Sequence, residues 1–112
     1  MPFLSVQTNV PVDDENALIK RLSLQAAELL GKPESYVMGH LQAGASLCFA
    51  GSCDAAAYVQ LKSLGLPEAQ TADFSGRLCR VLQDEIGLDA SRIYIEFSAP
   101  ERHMWGWNGG TF

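Results

Sequence analysis

The chain has 112 residues, 47% of them hydrophobic and 19% charged, with a net charge of −5; that is enough for one domain with its own core and too little for two. Its charges are spread over both halves without a block of Lys or Arg, which excludes the electrostatic footprint of a nucleic-acid binder. No apolar run approaches the roughly 20 residues that span a bilayer, and no basic-then-apolar leader opens the chain, so no membrane partner is expected and the expected address is cytoplasmic.

In chain order, Met1-Pro2 comes first. An initiator Met is removed when the next residue is small, Pro included, which predicts a mature chain beginning with the secondary amine of Pro2. A free α-amino group titrates at about 7.7–8.0 in model compounds and a prolyl amine higher, and burial lowers the value toward the range where a base is both deprotonated and strong. Phe3–Thr8 then reads as a strand. Asp13 or Asp14 caps a helix with Leu18, Leu22, Gln25 and Leu29 at helical spacing, ending near Gly31-Lys32-Pro33. Val37–Leu41 is the second strand, with Ala43–Phe49 extending it, and Ala57–Leu61 is the third. A second helix starts at Glu68 or Ala69, carries Phe74, Leu78, Val81, Leu82 and Ile86 on one side and stops at Gly87. Ile93–Phe97 is the fourth strand and Met104–Trp107 a short extra one.

The two halves echo each other at an offset of 56 residues: Leu22 with Leu78, Leu30 with Ile86, Gly31 with Gly87, Ser35 with Ser91 and Val37 with Ile93. This predicts a single domain over 1–112 made of two pseudo-repeats, about 1–56 and 57–112, each a βαβ unit. The expected fold class is α+β, a four-stranded mixed sheet with two helices on one face. Val6, Leu41, Ile95 and Phe97 read as apolar residues on both sides of the pleat, so the uncovered face is expected to be buried in an oligomer. Cys48, Cys53 and Cys79 read as small half-buried hydrophobes in a reducing compartment. No His or Cys neighbours His40 or His103 at ligand spacing, so no metal site is expected.

The stretches Met1-Pro2, Thr8-Asn9-Val10-Pro11, Gly31-Lys32-Pro33, Tyr36, His40, Phe49-Ala50-Gly51-Ser52, Ser63-Leu64-Gly65, Arg92-Ile93-Tyr94-Ile95 and Gly106-Trp107-Asn108-Gly109-Gly110-Thr111-Phe112 belong together. Through them the whole chain resembles the macrophage migration inhibitory factor branch of the tautomerase superfamily. The resemblance implies a homotrimer with the sheets lining a central channel and active sites at subunit boundaries. It also implies cofactor-independent keto–enol tautomerisation of phenylpyruvate-like aromatic 2-oxo acids. Pro2 would be the catalytic acid/base, Lys32 the carboxylate holder, and the Leu64 backbone N–H a donor to a substrate oxygen. Tyr94 would come from the neighbouring subunit, with Tyr36 and His40 near the pocket or its support and Trp105, Trp107 and Phe112 as apolar wall.

Two departures carry consequences. Glu96 stands where the animal cytokines have Asn, and an ionised carboxylate there would favour protonated Pro2. Ala56 and Val59 replace the animal CxxC, so dithiol oxidoreductase activity is not expected. The alternative function is that of a cytokine-like ligand for a receptor, released by a route that needs no signal peptide. A further alternative is hydration, dehalogenation or decarboxylation of small acids, with Arg92 or Arg102 and Glu96 supplying the charges.

Overall fold

Alternation sets the first strand, β1 (Pro2–Thr8): Leu4, Val6 and Thr8 are buried on one side, while Phe3 and Gln7 are half-buried on the other. The computed structural model covers residues 1–112. After β1 the chain enters helix α1 (Glu15–Leu30), and Asp14 is its cap, accepting the Ala17 N–H at 3.0 Å. The buried stripe of α1 runs Leu18, Leu22, Ala26 and Leu29, and Gln25 is exposed because the next inward position after Leu22 lies four residues on.

Gly31 ends α1 in the left-handed region at φ 63°. The Gly31 N–H donates to Glu28 O at 3.3 Å and the Lys32 N–H to Ala27 O at 3.0 Å, closing a Schellman motif. Strand β2 (Met38–Gln42) returns parallel to β1. A Cβ at Gly39 would collide with Ser23 Oγ and Ile19, so glycine lets α1 lie close on β2.

Strand β3 (Ala57–Ser63) pairs antiparallel to β1, and β4 (Ile93–Ser98) parallel to β3, giving a mixed sheet of order β2-β1-β3-β4. Between them, Glu68–Gln70 forms a 3-10 turn and helix α2 (Thr71–Ile86) follows. The predicted helical start at Glu68 is therefore one tight turn ahead of the α-helix. Phe74, Leu78 and Leu82 are buried, with Val81 and Ile86 packed at the edge of one core shared by both helices and the strands.

Two strand assignments change. Ala43–Phe49 is not an extension of β2: Gly44, at φ 64°, breaks the extended run, and the Ala45 N–H donates to Thr8 O instead. Farther on, Phe49 and Ser52 exchange backbone hydrogen bonds around Ala50-Gly51, both at positive φ. The extra strand Met104–Trp107 shrinks to β5 (Gly106–Trp107), preceded by a 3-10 turn at Arg102–Met104. It pairs with β6 (Gly110–Thr111) around Asn108-Gly109, whose φ values of 52° and 83° suit a tight hairpin turn.

The uncovered sheet face also differs from expectation. Val6, Leu41, Ile95 and Phe97 all belong to the core side. The open face instead carries cross-strand rows of mostly polar residues, among them His40, Ser5, Gln60 and Glu96. Ser5 Oγ lies 3.1 Å from His40 Nδ1, and Gln60 Nε2 donates to Glu96 Oε1 at 2.9 Å. The large apolar or aromatic side chains that this face does expose are Met38 and Tyr94, on its two edge strands.

Cys48 and Cys53 are exposed and only Cys79 is half-buried, where burial pushes its thiol pKa up. No helix is long and apolar enough to cross a membrane, and no three His, Cys, Asp or Glu side chains gather as metal ligands.

Candidate active site

Pro2 starts β1 fully buried and pairs across the sheet with Ser63, the residue before Leu64. The β1–β3 register thus brings the amino-terminal end to the Ser63-Leu64-Gly65 turn. Above them opens a cavity of about 820 Å³, lined by Met1, Lys32, Pro33, Tyr36, Leu64, Gly65, Ala99, Pro100, Glu101, Arg102, Trp107 and Phe112. This size falls within the range of small-molecule sites.

Local structure explains how each wall arrives. The Schellman motif fixes the backbone of Lys32, and the 3-10 turn Glu34–Tyr36, closed by Tyr36 N–H to Pro33 O, sets Tyr36 beside it. The β5–β6 hairpin brings Trp107 and Phe112 into near-parallel stacking, with centroids 6.1 Å apart at 13°. The Phe112 N–H donates to Trp105 O at 3.2 Å and holds the chain end against the hairpin. Arg102 and Glu101 come from the turn that leads into β5.

The α-amino group of Met1, which lines this cavity, is held below its ordinary value, first by burial and then by the positive charges of Lys32 and Arg102. Neither cation takes part in a salt bridge; Glu101 lies 3.5 Å from His103 Nδ1. These surroundings favour the neutral form of the Met1 amine.

Other residues singled out by sequence lie elsewhere on the chain. Tyr94, 65% exposed, lines an all-apolar hollow with Leu47, Phe49 and Tyr58, and its ring lies 4.5 Å from that of Phe49. Glu96 is on the open sheet face, bonded to Gln60 rather than to Arg92. Hydrogen bonds from Gln60 and then Tyr58, with Lys62 nearby, hold its carboxyl below the usual range. His40 is on that face too. Trp105 turns to a separate depression with Lys62, Ser98 and Met104, leaving Trp107 as the tryptophan of the cavity. Of the Ala99–Arg102 segment the sequence marks only Arg102, as a charge for the alternative chemistry of small acids; the rest offers no signal beyond a Pro and a charge in a loop after a strand.

A family model described as macrophage migration inhibitory factor matches residues 1–112. The chain belongs to the macrophage migration inhibitory factor family. It is 37% identical over 115 residues to a macrophage migration inhibitory factor homolog of Brugia malayi, covering 100% of this chain and 99% of that one. The crystal structure of a macrophage migration inhibitory factor homologue from Prochlorococcus marinus is 43% identical with a TM-score of 0.91, over 98% of both chains. The macrophage migration inhibitory factor of Trichinella spiralis is 31% identical, also with a TM-score of 0.91, over 98% of this chain and 99% of that one. The macrophage migration inhibitory factor fold thus extends from the buried Pro2 to the terminal hairpin that walls the cavity.

Proposed function

We propose that this family member is a cofactor-independent keto–enol tautomerase of phenylpyruvate-like 2-oxo acids, with Pro2 as general acid/base once Met1 is removed. The observation that supports it best is Pro2 itself, buried beneath a cavity that gathers a cation, a backbone turn and aromatic rings. Removal of Met1 would leave the prolyl nitrogen facing that cavity as a free amine. In the ketone-to-enol direction it takes the proton from the carbon next to the substrate carbonyl, and the same proton is returned to oxygen. Lys32 holds the carboxylate, the Leu64 N–H donates to a substrate oxygen, and Tyr36, Trp107 and Phe112 cover the ring.

Replacing Lys32 by Gln is expected to lower kcat/KM about 10- to 100-fold, mainly through KM, as loss of a charge-assisted bond does. It should also move the acid limb of the pH–rate profile upward, because Lys32, whose charge opposes protonation of the Met1 amine, would oppose protonation of a Pro2 amine at the same place. A profile that stays in place, with KM unchanged, would take Lys32 out of the site.

We also propose a homotrimer as the working form. Strands β2 and β4 are unpaired sheet edges, and they carry Met38 and Tyr94, each about two-thirds exposed. Tyr94 and Glu96 line no part of their own chain's cavity, so they reach a Pro2 site only from a neighbour. Light scattering should give three times the 12.2 kDa chain mass, whereas a monomer would remove both residues from catalysis.

In that trimer an ionised Glu96 near Pro2 stabilises the protonated amine and raises its pKa. Glu96→Asn is therefore expected to shift the acid limb to lower pH and to raise efficiency at neutral pH. A superimposable pH–rate profile would place Glu96 outside the active site.

A further inference from the structure

Arg102 is a second cation at the cavity, carried on the opposite side of the chain's connectivity from Lys32 and held in no salt bridge. Lys32 follows the end of α1, while Arg102 opens the 3-10 turn before β5, so the two arrive on independent elements. One monoanionic 2-oxo acid has a single carboxylate, which Lys32 alone can hold. A guanidinium at the same cavity then has no anionic partner in the substrate, although its planar fork matches a carboxylate or phosphate. Two carboxylates compete for that role. Glu101 adjoins Arg102 but its carboxylate lies instead against His103, 3.5 Å from Nδ1. Glu96 is engaged by Gln60 on the open sheet face, and a neighbour's Glu96 reaching the site in the proposed trimer would arrive already holding that bond.

We propose that Arg102 forms a second anion subsite, and that the cavity prefers 2-oxo acids bearing an additional carboxylate or phosphate at the end remote from the ketone. This rests on the tautomerase reading for its substrate class but not for its charge logic. Trp107 and Phe112 line the same cavity as both cations, so an aromatic 2-oxo acid with a charged para substituent offers one anion to each. Both cations lower the pKa of the Met1 α-amino group, which is consistent with their acting on the same space.

The test compares 4-carboxyphenylpyruvate with phenylpyruvate, probes that differ only in the remote charge. The wild-type protein should favour the dicarboxylate in kcat/KM about 5- to 10-fold, the size of a charge-assisted bond at a partly exposed site. Arg102→Gln should abolish that preference, and Arg102→Lys should restore part of it. Equal rates for both probes in the wild type, or a preference that survives Arg102→Gln, would overturn the subsite. Titration of each probe, followed by Trp fluorescence, gives the same comparison as a ratio of Kd values. If neither probe turns over, tautomerisation fails while the Kd ratio still decides the subsite. Arg102→Gln that weakens both probes equally would show a general electrostatic role or pairing with Glu101 or Glu96, and would also overturn it.

Discussion

Pro2→Gly should reduce phenylpyruvate tautomerisation at least about 100-fold, the lower end of what a positioned general acid/base contributes. Glycine also permits Met removal, so an amine remains, but it is primary, less substituted and no longer held by a ring. The effect should fall on kcat more than on KM, because Lys32 and the aromatic wall are untouched. Since Pro2 is buried, circular dichroism and the oligomer mass must be unchanged for the result to count. A variant within threefold of wild type, correctly folded and with Met1 removed, would assign the proton transfer to another group.

The second large effect is expected on stability, at Arg92. Its guanidinium donates to four carbonyls of the segment before β3: Phe49 at 2.9 Å, Ser52 at 3.2 Å, Asp54 at 3.0 Å and Ala55 at 3.3 Å. It also lies 5.0 Å from the centroid of the Phe49 ring. That segment has little regular structure beyond the Phe49–Ser52 pair and is otherwise tied by Asn9, whose side chain bonds Cys53 O, Asp54 O and Ala56 N–H. Arg92→Ala should cost about 2–3 kcal/mol in urea unfolding at fixed protein concentration, water replacing part of what is lost at the exposed bonds. Arg92→Lys should recover only a fraction, because an ammonium cannot fork to several carbonyls. The Phe49 and Ser52 amides should lose hydrogen-exchange protection first. A change within about 0.5 kcal/mol for Arg92→Ala, the ordinary range for surface substitutions, would show that the clamp adds little.

Local signals in the sequence specified much of this fold. Asp14 caps α1 and Gly31 ends it because both effects act within one helical turn. The 56-residue echo between halves matches the successive β-α-β element orders, and both helices pack into one core. What depended on distant partners was not legible. Gln25 occupies a helical spacing from Leu18 and Leu22, yet the side of α1 that meets the sheet is set by Ala26. Ala43–Phe49 has strand-forming residues, but Gly44 turns the chain and Arg92, remote in sequence, holds it as a loop. The polarity of the open face follows from pleat register: Val6 and Phe97 face inward, and their neighbours Ser5 and Glu96 face out.

The candidate site shows the same division. Pro2, Lys32, Leu64, Tyr36 and Phe112 could be marked from family-like motifs; the last four line one cavity, and the β1–β3 register sets the buried Pro2 opposite Ser63, next to Leu64. Trp105 and Trp107 are two residues apart on an extended segment, which leaves sequence unable to choose between them. The Asn108-Gly109 turn makes the choice by folding Trp107 against Phe112. Arg102 carried no local pattern that tied it to Lys32.

Whether a free Pro2 amine is the base is decided by phenylpyruvate tautomerisation with two preparations of the same chain. One is untagged protein shown by intact mass to lack Met1, and the other retains an amino-terminal extension on Pro2. Rapid turnover by the first and essentially none by the second are expected, with the same oligomer mass for both. Equal turnover by the two preparations, or none by the correctly processed one, would contradict Pro2 as the base.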